Sequence, residues 1–215
     1  MFGSSFLLLV GIFPIVYAKG GLFLDNYPYS SSLENSSRIF YKLANQGTHP
    51  HFTDKVKGHS YQLLYGSYLL PYVDRSHADK KPLKLMEVGM GCNPKTAMKK
   101  KGVDIWAHIF NQPEDSIWIA EFNEQCLKKM RHGNMIPQGV NVLIGDQSDE
   151  VTLDSWIEQS QGSYDIFIDD GGHSNNQIMT TFKKMWKEVK PGGVFVCVCV
   201  YVSVCAGLDW AACVM

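Results

Sequence analysis

The segment Lys84-Leu85-Met86-Glu87-Val88-Gly89-Met90-Gly91-Cys92 narrows the possible folds more than any other stretch of the chain. A short apolar run ends on an acid and opens into Gly-x-Gly. This predicts a parallel strand that delivers the chain to a tight turn ahead of a helix. Glycine allows the turn and lets the backbone come close to a ligand, and the helix start behind it offers free N–H groups. A dinucleotide fingerprint needs a third glycine at Gly-x-Gly-x-x-Gly, and Pro94 stands at that position. Alone, the turn is also compatible with an ordinary strand-to-helix connection. The acid two residues before the first glycine, and its repetition downstream, point to a site.

Residues 116–121, 140–147 and 164–170 each read as a buried strand running into acid, and Val194-Phe195-Val196 begins a fifth strand. Helices are expected between them at 93–110, 123–132, 153–158 and 176–189; in the last, Ile178, Phe182, Met185, Trp186 and Val189 share one face. Alternating strands and helices mean an α/β fold, a Rossmann-like, doubly wound and mostly parallel sheet covered on both faces. Such sheets bind ligands beyond the carboxyl ends of their strands, close to where strand order reverses. Glu87, Glu121, Asp146 and the pair Asp169-Asp170 fall at that edge. Gly89 and Gly91 would let the backbone pass under a nucleoside. Glu121 is placed to accept from ribose hydroxyls, and Asp146 from an adenine amine. The turn lacks pyrophosphate features, which favours S-adenosylmethionine over a nicotinamide dinucleotide.

At 215 residues, 45% hydrophobic and 19% charged, the chain can bury one sizeable core. A formal net charge of −1 gives no ground for a nucleic-acid partner, and Lys99-Lys100-Lys101 reads as a solvated helix face. Of six cysteines, Cys197, Cys199, Cys205 and Cys213 crowd the end, leaving Cys92 and Cys126 in the body. This is not the disulfide framework of a small secreted domain, and no Cys-x-x-Cys pair suggests zinc.

Residues 1–18 are a separate block, almost wholly apolar from Phe6 to Tyr17 and too short to span a bilayer comfortably. We read a cleaved secretory signal ending at Val16-Tyr17-Ala18, although no Lys or Arg precedes the apolar run. Its removal would leave no stable membrane span. The sequon Asn35-Ser36-Ser37 is consistent with that route. Residues 19–81 form a lead-in: loosely ordered over 19–50, helical around 59–70 with Tyr61, Leu64, Tyr65 and Tyr68 on one face, then a polar loop over 74–81. The helix either covers the sheet or acts as a lid.

Glu87-x-Gly89-x-Gly91, Glu121, Gly145-Asp146-Gln147, the run 164–173 and the run 189–195 together resemble the class I S-adenosylmethionine-dependent methyltransferases. Within that fold, Thr53-Asp54-Lys55, His59-Ser60-Tyr61 and Asp169-Asp170-Gly171-Gly172-His173 resemble the macrolide-sugar O-methyltransferases of the mycinamicin and demethylmacrocin type. The resemblance covers roughly residues 50–196. It implies that Glu87, Gly89 and Gly91 line the methionine side of the cofactor, that Glu121 holds the ribose, and that Asp146 and Gln147 flank the adenine. It also implies a Mg²⁺ ion that orients the accepting hydroxyls, with Asp170 as the nearest match to one ligand and Asp169 close behind it. A hard, oxygen-ligated cation would chelate vicinal hydroxyls and make the attacking one more acidic. Asp169-Asp170 could instead cap the following helix. His173 is either a general base or a helix-start residue.

The pattern breaks after Val196. The family's fifth strand continues into an acidic pair and a histidine, whereas this chain continues as a Cys- and Val-rich tail, 197–215, with no acid before Asp209. The methyltransferase core, 82–196, therefore reads as C-terminally truncated relative to the fold. Either the tail is an alternative or mispredicted end, or 198–204 extends a strand whose apolar edge is open to self-association. The expected activity is methyl transfer to a hydroxyl of a sugar or other small polar molecule. The rival is a non-catalytic cofactor-binding or interaction protein, and a nicotinamide-dependent oxidoreductase stands third. The secretory route sits uneasily with a methyl donor made in the cytosol, so a cytoplasmic location is the alternative.

Overall fold

The structure is a computed structural model that describes residues 15–18, 33–44, 61–92, 102–110 and 116–198. In chain order these residues form β1 (Ile15–Ala18), α1 (Leu33–Ala44), α2 (Tyr61–Tyr68), α3 (Leu70–Asp79), β2 (Lys84–Val88), α4 (Gly102–Ile109) and β3 (Ser116–Glu121). Next come α5 (Glu124–His132), β4 (Val140–Ile144), α6 (Glu150–Ser160), β5 (Tyr164–Asp169), α7 (Asn175–Met185), a 3-10 turn (Trp186–Glu188) and β6 (Val189–Cys197). The segment 53–60 and the tail beyond 198 lie outside the described residues.

The strands form one sheet in the order β1-β6-β5-β2-β3-β4. β2 through β6 pair in parallel, and β1 pairs antiparallel with β6. The chain steps outward from β2 to β3 and β4, then returns to lay β5 on the other side of β2. Strand order therefore reverses between β2 and β5. The expected α/β sheet is present, with its four acidic strand ends where the sequence placed them.

Alternation along the central strands separates two cores. Leu85, Ile119, Ile166, Ile168, Val194 and Val196 face α1 to α5, around Trp106, Tyr65 and Phe40. Met86, Val88, Phe167 and Phe195 face α6 and α7, around Trp156, Tyr164 and Met185. Burying each such aliphatic or aromatic side chain contributes about 1.5–3 kcal/mol. Tyr65 meets Trp106 edge-on at 5.2 Å and Phe40 at 5.5 Å. The lead-in helix α2 thus packs with α1 and α4 in the core on that side of the sheet.

Several local expectations need correction. Residues 33–44 are helical and pack on α2 and α4. The sequon falls inside this helix, and Ser37 is buried. The polar stretch 74–81 continues α3 as far as Asp79, because Leu70, Val73 and Ser76 repeat at three-residue spacing and are buried. The third position of that stripe is a serine, donating to the Lys81 carbonyl, so the apolar period looked broken. Helix α6 starts earlier than 153 because Asp149 caps it, accepting from the amides of Val151 and Thr152. Lys190-Pro191-Gly192-Gly193 is a bulge within β6, where the register jumps from Tyr164↔Val189 to Ile166↔Val194. Cys92 and Cys126 form a disulfide, so the two body cysteines are a pair after all.

The part of β6 that one of the two readings left open, residues 194–197, has a neighbour. Ile15, Val16, Tyr17 and Ala18 pair with Cys197, Val196, Phe195 and Val194. The end of the apolar block read as a leader is therefore, in this structure, the edge strand of the sheet. Among the described residues, no helix is long and apolar enough to cross a membrane.

Candidate functional site

The carboxyl ends of β2 and β5 meet where strand order reverses, and glycines make that meeting possible. Val88 is in register with Asp169, and the amide of Asp170 donates to the Val88 carbonyl at 2.9 Å. Gly89 has φ +97°, and a Cβ there would lie 2.7 Å from the carbonyl carbon of Asp170. Gly171 is equally confined: its Cβ would fall 2.8 Å from Val88 Cγ1 and collide with Gln147. Gly91 also has a positive φ, 80°. The glycine turn after β2 and the Asp-Asp-Gly-Gly turn after β5 thus rest against each other, backbone to backbone.

Glu121, at the end of β3, braces the first of these turns. Its Oε2 accepts from the Met90 amide at 3.2 Å and its Oε1 from the Asn123 amide at 2.8 Å. A carboxylate oxygen has two lone pairs, so each can still accept from a ligand hydroxyl. The disulfide ties the same turn to the start of α5, where Asn123 caps the helix by accepting from the Cys126 amide. Phe122, directly after Glu121, is 71% exposed, an unusual place for so large an apolar ring. Sequence reasoning passed over it, because one aromatic after a strand end has no distinguishing pattern.

The other acids have different surroundings. Glu87 is buried on the α4 side of the sheet and accepts from the Trp106 indole N–H at 2.7 Å. Asp146 closes a turn, its Oδ1 accepting from the amide and hydroxyl of Ser148, both at 2.8 Å. Asp169 is 3% exposed and faces α6 and α7. Burial pushes its carboxyl up to about 7, opposed by the hydrogen bonds from Gln147 and Gly171 and reinforced by the charge of Asp170. Its Oδ2 is buried and, among the described residues, has no hydrogen-bond partner.

Gln147 is buried and bonded inward, to Asp169, Thr181 and the Gly172 amide. Asp170 is half-buried and His173 exposed, one on each side of the Gly171-Gly172 pair. Neither acid caps α7, as one reading allowed. That role belongs to Ser174, which forms a reciprocal capping box with Gln177. Thr181, on α7 and fully buried, was missed at the sequence level, where it is one polar residue in an amphipathic helix. Among the described residues, no group of three His, Cys, Asp or Glu side chains is placed to hold a metal ion.

Comparison with known proteins gives this geometry a context. No family model matches the chain. It aligns with the MycE methyltransferase of the mycinamycin biosynthetic pathway, solved with Mg and SAH, at a TM-score of 0.55 and 24% identity over 74% of this chain and 36% of that one. What the two share is the fold, a Rossmann-like α/β sheet with flanking helices. Over 146 residues the chain is 27% identical to an 8-demethyl-8-alpha-L-rhamnosyl tetracenomycin-C 2'-O-methyltransferase of Streptomyces olivaceus, covering 68% of this chain and 34% of that relative. It is 27% identical over 132 residues to a mycinamicin VI 2''-O-methyltransferase of Micromonospora griseorubida, covering 60% and 30%. A demethylmacrocin O-methyltransferase of Streptomyces fradiae is 25% identical, covering 60% and 31%. The chain thus spans about a third of the length of these curated relatives.

Proposed function

We propose that this chain binds S-adenosylmethionine at the β2–β5 crevice and belongs to an O-methyltransferase acting on a hydroxyl of a sugar or other small polar molecule. The observation that carries the reading is the abutment of the two glycine turns at the switch point, with Glu121 bracing one and Asp170 and His173 flanking the other. The names of the relatives, all sugar or macrolide-type O-methyltransferases, support the acceptor class.

In this reading the backbone at Gly89 and Gly91 gives a ligand close approach, and Glu121 accepts from the ribose hydroxyls. Phe122 offers an aromatic face to the nucleobase. Asp146 would accept from the adenine amine through Oδ2, the oxygen that Ser148 does not occupy. The bound cofactor would supply an electrophilic sulfonium methyl. The protein's share is then alignment, holding an acceptor oxygen in line with that carbon. Asp170 would orient the acceptor, and the exposed His173 imidazole would take the hydroxyl proton. Asp170 also fits as one ligand of a Mg²⁺ ion. The described residues do not gather the further donors such an ion needs.

The same observation favours a second reading, in which the chain binds the cofactor without turnover. Calorimetric titration with S-adenosylmethionine and with NAD, each with and without Mg²⁺, tests both. The proposal expects saturable binding of S-adenosylmethionine, weakened about tenfold or more by Glu121→Ala, and little binding of NAD. Binding without methyl transfer to a rhamnoside acceptor would leave the second reading, and no binding by the folded chain would refute both.

A further inference from the structure

Beneath the Asp170–His173 turn lies a buried polar cluster that the reading above does not use. Gln147 follows β4 and Thr181 sits on α7, and they are 5% and 0% exposed. Gln147 Nε2 donates to Asp169 Oδ1 at 2.9 Å and to Thr181 Oγ1 at 3.0 Å. Its Oε1 accepts from the Gly172 amide at 2.6 Å. The Thr181 hydroxyl in turn donates to the Gln147 backbone carbonyl at 3.4 Å.

This arrangement fixes the orientation of the amide. Both Nε2 protons have acceptors and Oε1 has a donor, so flipping the amide would set its N–H groups against the Gly172 N–H. A buried polar group left unpaired is costly, and the cluster therefore holds as a unit. The turn rests directly on it, since Gly171 has no room for a Cβ beside Gln147 Oε1. Asp170 and His173 are the residues on either side of that clamped pair.

We propose that Gln147 and Thr181 are positioning residues. Through the Gly172 amide they hold the turn on which Asp170 and His173 work, and the catalytic part of this claim rests on the function proposed above. Gln147, assigned by resemblance to the adenine, acts in this view through the turn after β5.

The test uses the full chain with Thr181→Val, which keeps the shape and removes the hydroxyl, and Thr181→Ser, which keeps the hydroxyl. Hydrogen exchange of the Gly172 amide is read first, without any ligand. It should speed up by about tenfold in Thr181→Val relative to the Ile168 amide within β5, and stay protected in Thr181→Ser. Calorimetry with S-adenosylmethionine should give the wild-type affinity in both variants, while kcat toward methyl α-L-rhamnoside falls about tenfold in Thr181→Val and recovers in Thr181→Ser. Unchanged exchange at Gly172 in Thr181→Val overturns the clamp. If exchange rises but kcat holds, the catalytic part is overturned. If Thr181→Val does not fold, Gln147→Met replaces it: this variant keeps the length of the side chain, removes the oxygen that accepts from the Gly172 amide, and must show the same faster exchange. A wild-type chain that neither binds nor transfers would refute the proposed function, while the exchange measurement would still decide the clamp.

Discussion

Gly89 shows how much of this site is decided by single atoms. Its φ of +97° lies where L side chains are strained, and the carbonyl of Asp170 occupies the space a Cβ would need. The obstacle is backbone on a neighbouring strand end, so relief requires separating β2 from β5. Gly89→Ala should therefore cost about 3 kcal/mol or more in urea unfolding and abolish S-adenosylmethionine binding. Ordinary stability with intact binding would show that the two turns do not bear on each other. Tyr164 is a second residue whose surroundings make a measurable difference. It is fully buried between α6 and the sheet, and its hydroxyl bonds to Ser160. Burial pushes its phenol up to about 12; the Ser160 hydrogen bond opposes this and the charge of Glu188 adds to it. The sign follows from linkage: the unfolded phenol ionises from about 10 while the native one stays neutral, so stability falls as pH rises between those values. A loss of about 2–3 kcal/mol attributable to this group should disappear from the pH profile of Tyr164→Phe.

At the scale of elements, the Cys92–Cys126 bridge joins two parts that are 34 residues apart in sequence. It fastens the glycine turn after β2 to the first turn of α5, alongside the Glu121–Met90 hydrogen bond. Closing a loop of that length in the unfolded chain is worth about 2–4 kcal/mol. Reduction with a dithiol should lower stability by about that amount, and amides at 89–92 and 124–127 should lose protection before those of β5. Equal loss everywhere would mean that the bridge acts only on the unfolded chain. The pairing was illegible in the sequence because only the adjacency of β2 and β3 brings the two cysteines together. Legibility elsewhere followed the same physics. β2, β3 and β5 are buried on both faces, so their apolar runs mark them with bounds close to those observed. α3 and the start of α6 were hidden, because a buried serine and an exposed capping aspartate carry their signals. Glu121 at the glycine turn was legible as an acid on a strand end, whereas Thr181 depended on a contact spanning β4, β5 and α7.

At the scale of the whole molecule, the N-terminal residues are asked to do two different things. Read as sequence, residues 1–18 form a leader that a signal peptidase would remove after Ala18. In the structure, residues 15–18 complete the sheet beside β6, whose Val194, Phe195 and Val196 are fully buried. Both cannot hold for one mature chain, because cleavage would strip β6 of its outer partner and bare an apolar edge of unpaired backbone. The secretory route is the one we propose for the leader, and a Cys92–Cys126 bridge is compatible with it. Processing would then move the sheet's edge from the short β1 to the nine-residue β6, which could accept a strand from another copy. A chain beginning at Lys19 should therefore self-associate at concentrations where the full chain is monomeric, as sedimentation would show. Val16→Pro in the full chain should shift it the same way, since proline cannot supply the strand's N–H. If both remain monomeric with unchanged stability, β1 contributes nothing to the sheet. The leader could then be cleaved without consequence for the fold.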